Sequence, residues 1–274
     1  MKEKVDVKGV FYKKNPTLAK LIPGFIYRYL IKIIHEKDIN DFLAKHGDKV
    51  GIDFVKAGIE DFNIKLTVEG EENIPEEGRF IFASNHPLGG FDAFIIMNTV
   101  DKHFKEYRFL VNDILMNLKN LAVLFLPINK HGQQGAEAVK KINEAYESDK
   151  QILTFPAGLV SRRIKGRIVD LEWKKNFISK AIQSKRDIIP VHVSGRNTDF
   201  FYNFANIRKF LGIKANIEML YLVNETYKHK NEHITIKFGK PIPHTVLDKS
   251  KTHKEWAFWV KSKAYELNNQ QINA

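Results

Sequence analysis

From Ile64 onward the chain alternates two kinds of segment, and that alternation is its strongest constraint. Short runs rich in Val, Ile, Phe and Leu, each bounded by turn residues, read as strands: IKLTVEG, RFIFASN, YRFLVN, AVLFLPIN, QILTFP, DIIPVHVSG, ANIEMLYLV and EHITIKFG. Between several of them lie helix-like stretches, clearest over 135–148 and 171–184, and another closes the chain over 251–266. Strands alternating with helices predict an α/β fold, a sheet covered by helices on both faces. The last two strands have no helix between them, so the sheet is expected to be mixed, mostly parallel with an antiparallel part. One such domain accounts for residues 63–274, behind an N-terminal helical segment of residues 1–62.

In that segment Pro23 suits a first helical turn. Phe25, Ile26, Tyr29, Leu30, Ile33 and Ile34 then follow at helical spacing, with Arg28, Lys32 and His35 on the opposite face. From Phe11 to His35 there are five Lys/Arg residues and no acidic one. A basic amphipathic helix with aromatics is the kind that lies in a membrane interface. A helix packed on the protein's own core with a solvated basic face gives the same pattern. Residues 38–62 read as one or two further helices leading into the main domain.

Charge and composition narrow the partners. Lys+Arg 44 against Asp+Glu 32 gives a net +12, which favours anionic partners, either nucleic acid or an anionic membrane surface. No recognisable nucleic-acid motif is present and the charge is spread along the chain, so no nucleic acid is expected. The absence of cysteine excludes disulfides, thiolate-ligated metals and a thiol nucleophile. The histidines outside the strand ends, His131, His192 and His244 among them, lack metal-ligand spacing, so no metal is expected. No run reaches the roughly 18 apolar residues of a membrane span, and the first residues lack the apolar stretch of a secretory signal. The expected location is the cytoplasm, at the membrane face as a peripheral protein.

The chemistry gathers at strand ends, where open α/β sheets place their functional groups. RFIFASN runs into His86, Pro87, Leu88, Gly89, Gly90, Phe91 and Asp92, followed by helix-like AFIIMNTV. A carboxylate at Asp92 could accept the imidazole N–H of His86, fix its tautomer and leave the other nitrogen as a general base. Taken alone, the pair is more simply a loop histidine with an aspartate capping the next helix.

NHPLGGFD resembles the first motif of the glycerolipid acyltransferase superfamily, the glycerol-3-phosphate and lysophosphatidic acid acyltransferases. FPAGLVSR, from Phe155 to Arg162, resembles its third motif. VLFLPINK, ending at Lys130, sits where the second would fall, and IIPVHVSG resembles the strand carrying the fourth. Three features depart from that pattern. Five residues rather than four separate His86 from Asp92, Ala157 stands where a glutamate is usual, and Lys130 replaces an arginine. The form NHPxGGxD with FPAGxxSR is similar to a branch that O-acylates lyso-amino-acid lipids such as lyso-ornithine or N-acyl-glycine lipids.

The resemblance implies an O-acyltransferase moving a fatty acyl chain from acyl carrier protein or coenzyme A to a lysolipid hydroxyl, with no cofactor beyond that donor. His86 would be the general base and Asp92 its orienting partner. Asn85, Gly89, Gly90, Lys130, Phe155, Pro156, Gly158, Ser161 and Arg162 would line the substrate site. Backbone N–H groups near Gly89 and Gly90 or around Gly158 are candidate oxyanion donors. Arg162 could offer a planar fork to one carboxylate, and the basic run RRIKGR and the Trp173–Phe177 stretch could extend a basic membrane face. Remaining alternatives are a 1-acylglycerol-3-phosphate acyltransferase and, in another class, a non-catalytic basic protein that binds nucleic acid or membranes.

Overall fold

The computed structural model describes residues 4–128, 135–270 and 272. Five helices come first: α1 (Val7–Lys14), α2 (Pro16–Leu21), α3 (Gly24–Ile33), α4 (Glu36–His46) and α5 (Ile52–Asp61). Then follow β1 (Lys65–Glu69), β2 (Phe80–Ser84), α6 (Gly90–His103), β3 (Tyr107–Asn112), β4 (Phe125–Ile128), α7 (Ala136–Glu147) and β5 (Gln151–Thr154). The chain continues through a hairpin, β6 (Arg162–Ile164) and β7 (Arg167–Val169), to α8 (Asn176–Ser184) and β8 (Asp187–Val193). It ends with α9 (Asp199–Phe210), α10 (Leu222–Lys228), β9 (His233–Phe238) and α11 (His253–Glu266).

Seven strands form one sheet in the order β1-β9-β8-β2-β5-β3-β4. Every pairing is parallel except β8 with β9. Side chains alternate across the sheet as the period of two demands. Phe80, Phe82, Leu153, Ile189 and Val191 face α5 and α6. Ile81, Ala83, Ile152 and Ile188 face α7, α8 and α11. This is the mixed α/β architecture expected from the pattern of segments. Helix α5 belongs to that architecture, because its Phe54 and Val55 are buried in the first of these two cores.

Two local expectations are corrected. ANIEMLYLV contains no strand; Ile217–Tyr221 form a 3₁₀ turn that leads directly into α10. Glu218 and Glu225, seven residues apart, are both buried, a spacing that keeps one face of a helix but would put them on opposite faces of a strand. RRIKGR is half of the β6–β7 hairpin, whose turn residues Lys165 and Gly166 both have positive φ, 46° and 80°. Two such residues match the right-handed twist of the flanking strands, and Gly at the second carries no side-chain penalty there. Trp173 and Phe177 are core residues, not an exposed aromatic face.

The N-terminal helices are fastened at one conspicuous point. His35 has φ 53°, donates or accepts at both ring nitrogens with Asp38 (2.9 Å) and Asn224 (3.0 Å), and stacks on Tyr227 at 4.0 Å. It is a joint between α4 and α10, not part of a free basic face. Among the described residues, no helix is long and apolar enough to cross a membrane.

His192, on β8, is buried against Tyr265 of α11 and lies opposite Lys237 of β9. Burial first, and the Lys237 charge second, pull its pKa down to about 4 from 6.5. The unfolded chain therefore binds a proton between those values that the folded chain does not, so stability falls as pH drops from about 6.5 to 4. The loss reaches about 3 kcal/mol. Urea denaturation at a series of pH values is expected to show that slope in the native protein and a shallower one in His192→Phe.

Candidate active site

Strand β2 stops at Ser84, and the side chain of Asn85 continues its pairing with β8. The Asn85 amide donates to the Val193 carbonyl (2.9 Å) and its carbonyl accepts the Val193 N–H (2.7 Å). That double bond anchors the residue immediately before His86. Three residues after Gly89, in the first turn of α6, comes Asp92. Its Oδ2 lies 2.8 Å from His86 Nδ1 and also accepts the N–H groups of Leu88 (2.9 Å) and Gly89 (3.0 Å). Asp92 is fully buried, whereas the His86 side chain keeps 16% of its surface exposed. Helix capping and imidazole orientation are thus performed by one oxygen. Because ionised Asp92 can only accept, Nδ1 carries the hydrogen and Nε2 presents its lone pair.

Among the five residues that separate His86 from Asp92, Gly89 has φ 91°. A Cβ there would be strained by the backbone and would meet Leu222 of α10 at 2.9 Å. Gly90 begins the helix with open space beside it.

Strand β5 delivers Phe155, whose ring stacks on the imidazole at 3.8 Å with an interplanar angle of 9°. Gly158, with φ 66°, turns the chain back, and its N–H bonds the Phe155 carbonyl. The Pro156 carbonyl accepts the Lys174 N–H. Ser161 then reaches His86 from behind, its N–H donating to the His86 carbonyl (2.8 Å). Since the N–H groups of Leu88, Gly89 and Gly158 all have protein acceptors, none of these three is an unengaged oxyanion donor.

One residue that the sequence did not single out organises this region. Asp170 is buried and accepts the His86 N–H (3.2 Å), the Ser161 hydroxyl (2.6 Å) and the Trp173 indole N–H (2.9 Å). Burial pushes its carboxyl up, and the Ser161 and Trp173 donors oppose that shift. Its own N–H donates to the Tyr265 hydroxyl and its carbonyl accepts from Lys261, both on α11. A lone aspartate in RIVDLEW follows no spacing rule that would have marked it.

Arg162, expected to present a free fork, is instead buried. One guanidinium nitrogen bonds Glu218 at 2.9 Å, another the Val160 carbonyl at 2.7 Å, and the group lies over the Phe201 ring. Arg208 pairs with the same glutamate at 2.8 Å. Ala157 fills the core beside Trp173 and Phe177. Lys130 lies outside the described residues. Behind the His86 loop a cavity of about 850 Å³ is lined by Asn85, Pro87, Ser161, His192, Ser194 and Arg196, among others.

A family profile described as "Acyltransferase" matches residues 9–274. The chain is 50% identical over 264 residues to a lyso-glycine lipid O-acyltransferase of Bacteroides thetaiotaomicron, covering 96% of this chain and 97% of that one. It is 47% identical over 264 residues to a protein of the same name from Phocaeicola vulgatus, covering 96% and 95%. A solved 1-acyl-sn-glycerophosphate acyltransferase from Thermotoga maritima superposes with TM-score 0.48 and 16% identity over 91% of this chain and 95% of that one. A match to the family along nearly the whole chain, with two relatives near half identity, decides the matter: this chain is a member of the acyltransferase family.

Proposed function

We propose that the enzyme acylates the free hydroxyl of a lyso-glycine-type lipid, using a fatty acyl thioester of coenzyme A or acyl carrier protein. The observation that carries this is the 2.8 Å contact between His86 Nδ1 and a buried Asp92, with Nε2 left as the basic nitrogen. Nε2 takes the acceptor hydroxyl proton as the oxygen attacks the thioester carbonyl. The new C–O bond forms, the C–S bond of the tetrahedral adduct breaks, and the departing thiolate receives the proton back from Nε2. Asp92 holds the imidazole in register and stabilises its transient positive charge. Phe155, stacked flat on the ring, prevents rotation out of that position. A chain without cysteine supplies no thiol to carry the acyl group, in keeping with direct transfer.

The acceptor class is supported by the names of the two relatives and by Ala157, which removes the acidic group usual at that point of the third motif. It draws no support from Arg162, whose charge is already matched by Glu218. The lysolipid resides in a bilayer and the thioester arrives from the cytosol. The enzyme therefore works docked on the cytoplasmic membrane face, through α1–α3.

His86→Ala is expected to abolish transfer in a folded protein, and Asp92→Asn to lower turnover by about 10²- to 10⁴-fold. Single-turnover rates with circular dichroism on each variant check both; near-native turnover in either overturns its assigned role. Offered together in competition with one acyl donor, lyso-glycine lipid is expected to be acylated faster than lysophosphatidic acid. The reverse order would make the phosphate-bearing lipid the acceptor. Arg162→Ala is expected to lose roughly 1–3 kcal/mol of stability, because one Glu218 oxygen and the Val160 carbonyl lose their buried donor while Arg208 still pairs with the glutamate. It should show no rise in KM confined to the carboxylate-bearing acceptor, as denaturation and steady-state kinetics would reveal.

A further inference from the structure

The most exposed apolar surface of the enzyme is not confined to its N-terminal helices. Phe200, Phe204, Ile207 and Leu211 recur at helical spacing along α9. The side of α9 that the protein buries is a different one, formed by Phe201, Tyr202 and Ala205. The strip goes on through the end of the helix and beyond it: Phe210, its last residue, is 89% exposed and Leu211, its C-cap, 63%, with Ile213 and Leu220 also in solvent. Monomeric proteins seldom leave so large a contiguous apolar patch without a partner for it.

Its partner is indicated by charge and by continuity. From Phe200 to Leu220 the only acidic residue is Glu218, which is buried, while Lys209 and Lys214 are exposed. The strip also joins the N-terminal helices. The Tyr221 ring meets Phe200 at 5.0 Å and Phe204 at 5.4 Å, and its hydroxyl bonds that of Tyr29 on α3 at 2.7 Å. On α3 itself Phe25, Ile26 and Tyr29 are exposed, beside Arg28, in a stretch with no acidic residue from Val7 to His35. The next residue after Tyr221 is Leu222, which lies over Gly89 in the His86–Asp92 loop.

We infer that the strip from Phe200 to Leu220 is a second membrane-inserting element, which with α3 forms one docking face for an anionic bilayer beside the active-site loop. Apolar side chains rimmed by lysine and lacking acids suit the headgroup boundary, where hydrophobic burial and attraction to anionic lipid add. The inference rests on the membrane-docked reading above but assigns contacts more than 160 residues beyond α3. With both elements seated, an acceptor hydroxyl enters the loop from the bilayer surface.

The absence of cysteine makes the test direct. Single substitutions Phe210→Cys, Phe25→Cys and Lys140→Cys, the last on α7 over the other face of the sheet, are each labelled with an environment-sensitive fluorophore in the full chain. Vesicles of phosphatidylcholine mixed with phosphatidylglycerol are then added. The labels at 210 and 25 are expected to shift to the blue and brighten, and the label at 140 to stay unchanged. A shift at 25 with none at 210 overturns this inference and leaves the N-terminal docking intact. No shift at either position overturns both. In parallel, the double substitution Ile207→Asp, Phe210→Asp is expected to lower vesicle partitioning at least about tenfold, while turnover of a micelle-dispersed acceptor stays near native. Native partitioning by that folded variant also overturns the inference.

Discussion

A carboxyl group removed from water needs hydrogen-bond partners, and Asp170 collects them from three segments around the active site. The His86 backbone, the Ser161 hydroxyl and the Trp173 indole all converge on it. These groups come from the end of β2, from the turn after β5 and from the approach to α8, so a single buried side chain sets their mutual positions. Helix α11 completes the arrangement through Tyr265 and Lys261. The imidazole is therefore held at two levels: Asp92 fixes its ring, and Asp170 with Ser161 fixes the backbone that carries it.

Much of this was legible in the sequence, and the exceptions share a cause. Seven of the eight runs read as strands are strands of the main sheet, because burial in a sheet leaves a short local signature, a continuous apolar run in β2, β5 and β8 and an alternating one in β3 and β9. The His86–Asp92 pair was legible because its two members are six residues apart and the segment that holds them resembles a family motif. ANIEMLYLV misled because Glu218 is buried by arginines 56 and 10 residues away, a long-range debt of charge that no local pattern displays. Asp170 was invisible for a related reason: Trp173 is three residues from it, but its other donors lie 84 and 9 residues upstream.

Arg162 shows how a motif residue can change office. In the sequence it stands within a stretch resembling a substrate-binding motif; in the fold, its guanidinium, Glu218 and Arg208 form a buried cluster joining the hairpin to α9 and the turn before α10. Those same segments carry the exposed strip on α9. The charge cluster thus provides the stiff underside of a surface whose upper side is apolar.

Strand β1 has one neighbour, β9, and its Thr67 meets His233, 166 residues later in the chain. At ordinary rates of synthesis, roughly 5–20 residues per second, β1 leaves the ribosome about ten to thirty seconds before its partner exists. Closing so long a loop is also entropically slow. Of the helices that precede β1, α5 finds its core as soon as β2 and α6 exist, whereas α3 and the start of α4 await Tyr221 and Asn224, which are made only shortly before β9. The edge of the sheet formed by β1 is therefore sealed only after the strands that carry the active-site loops have been made.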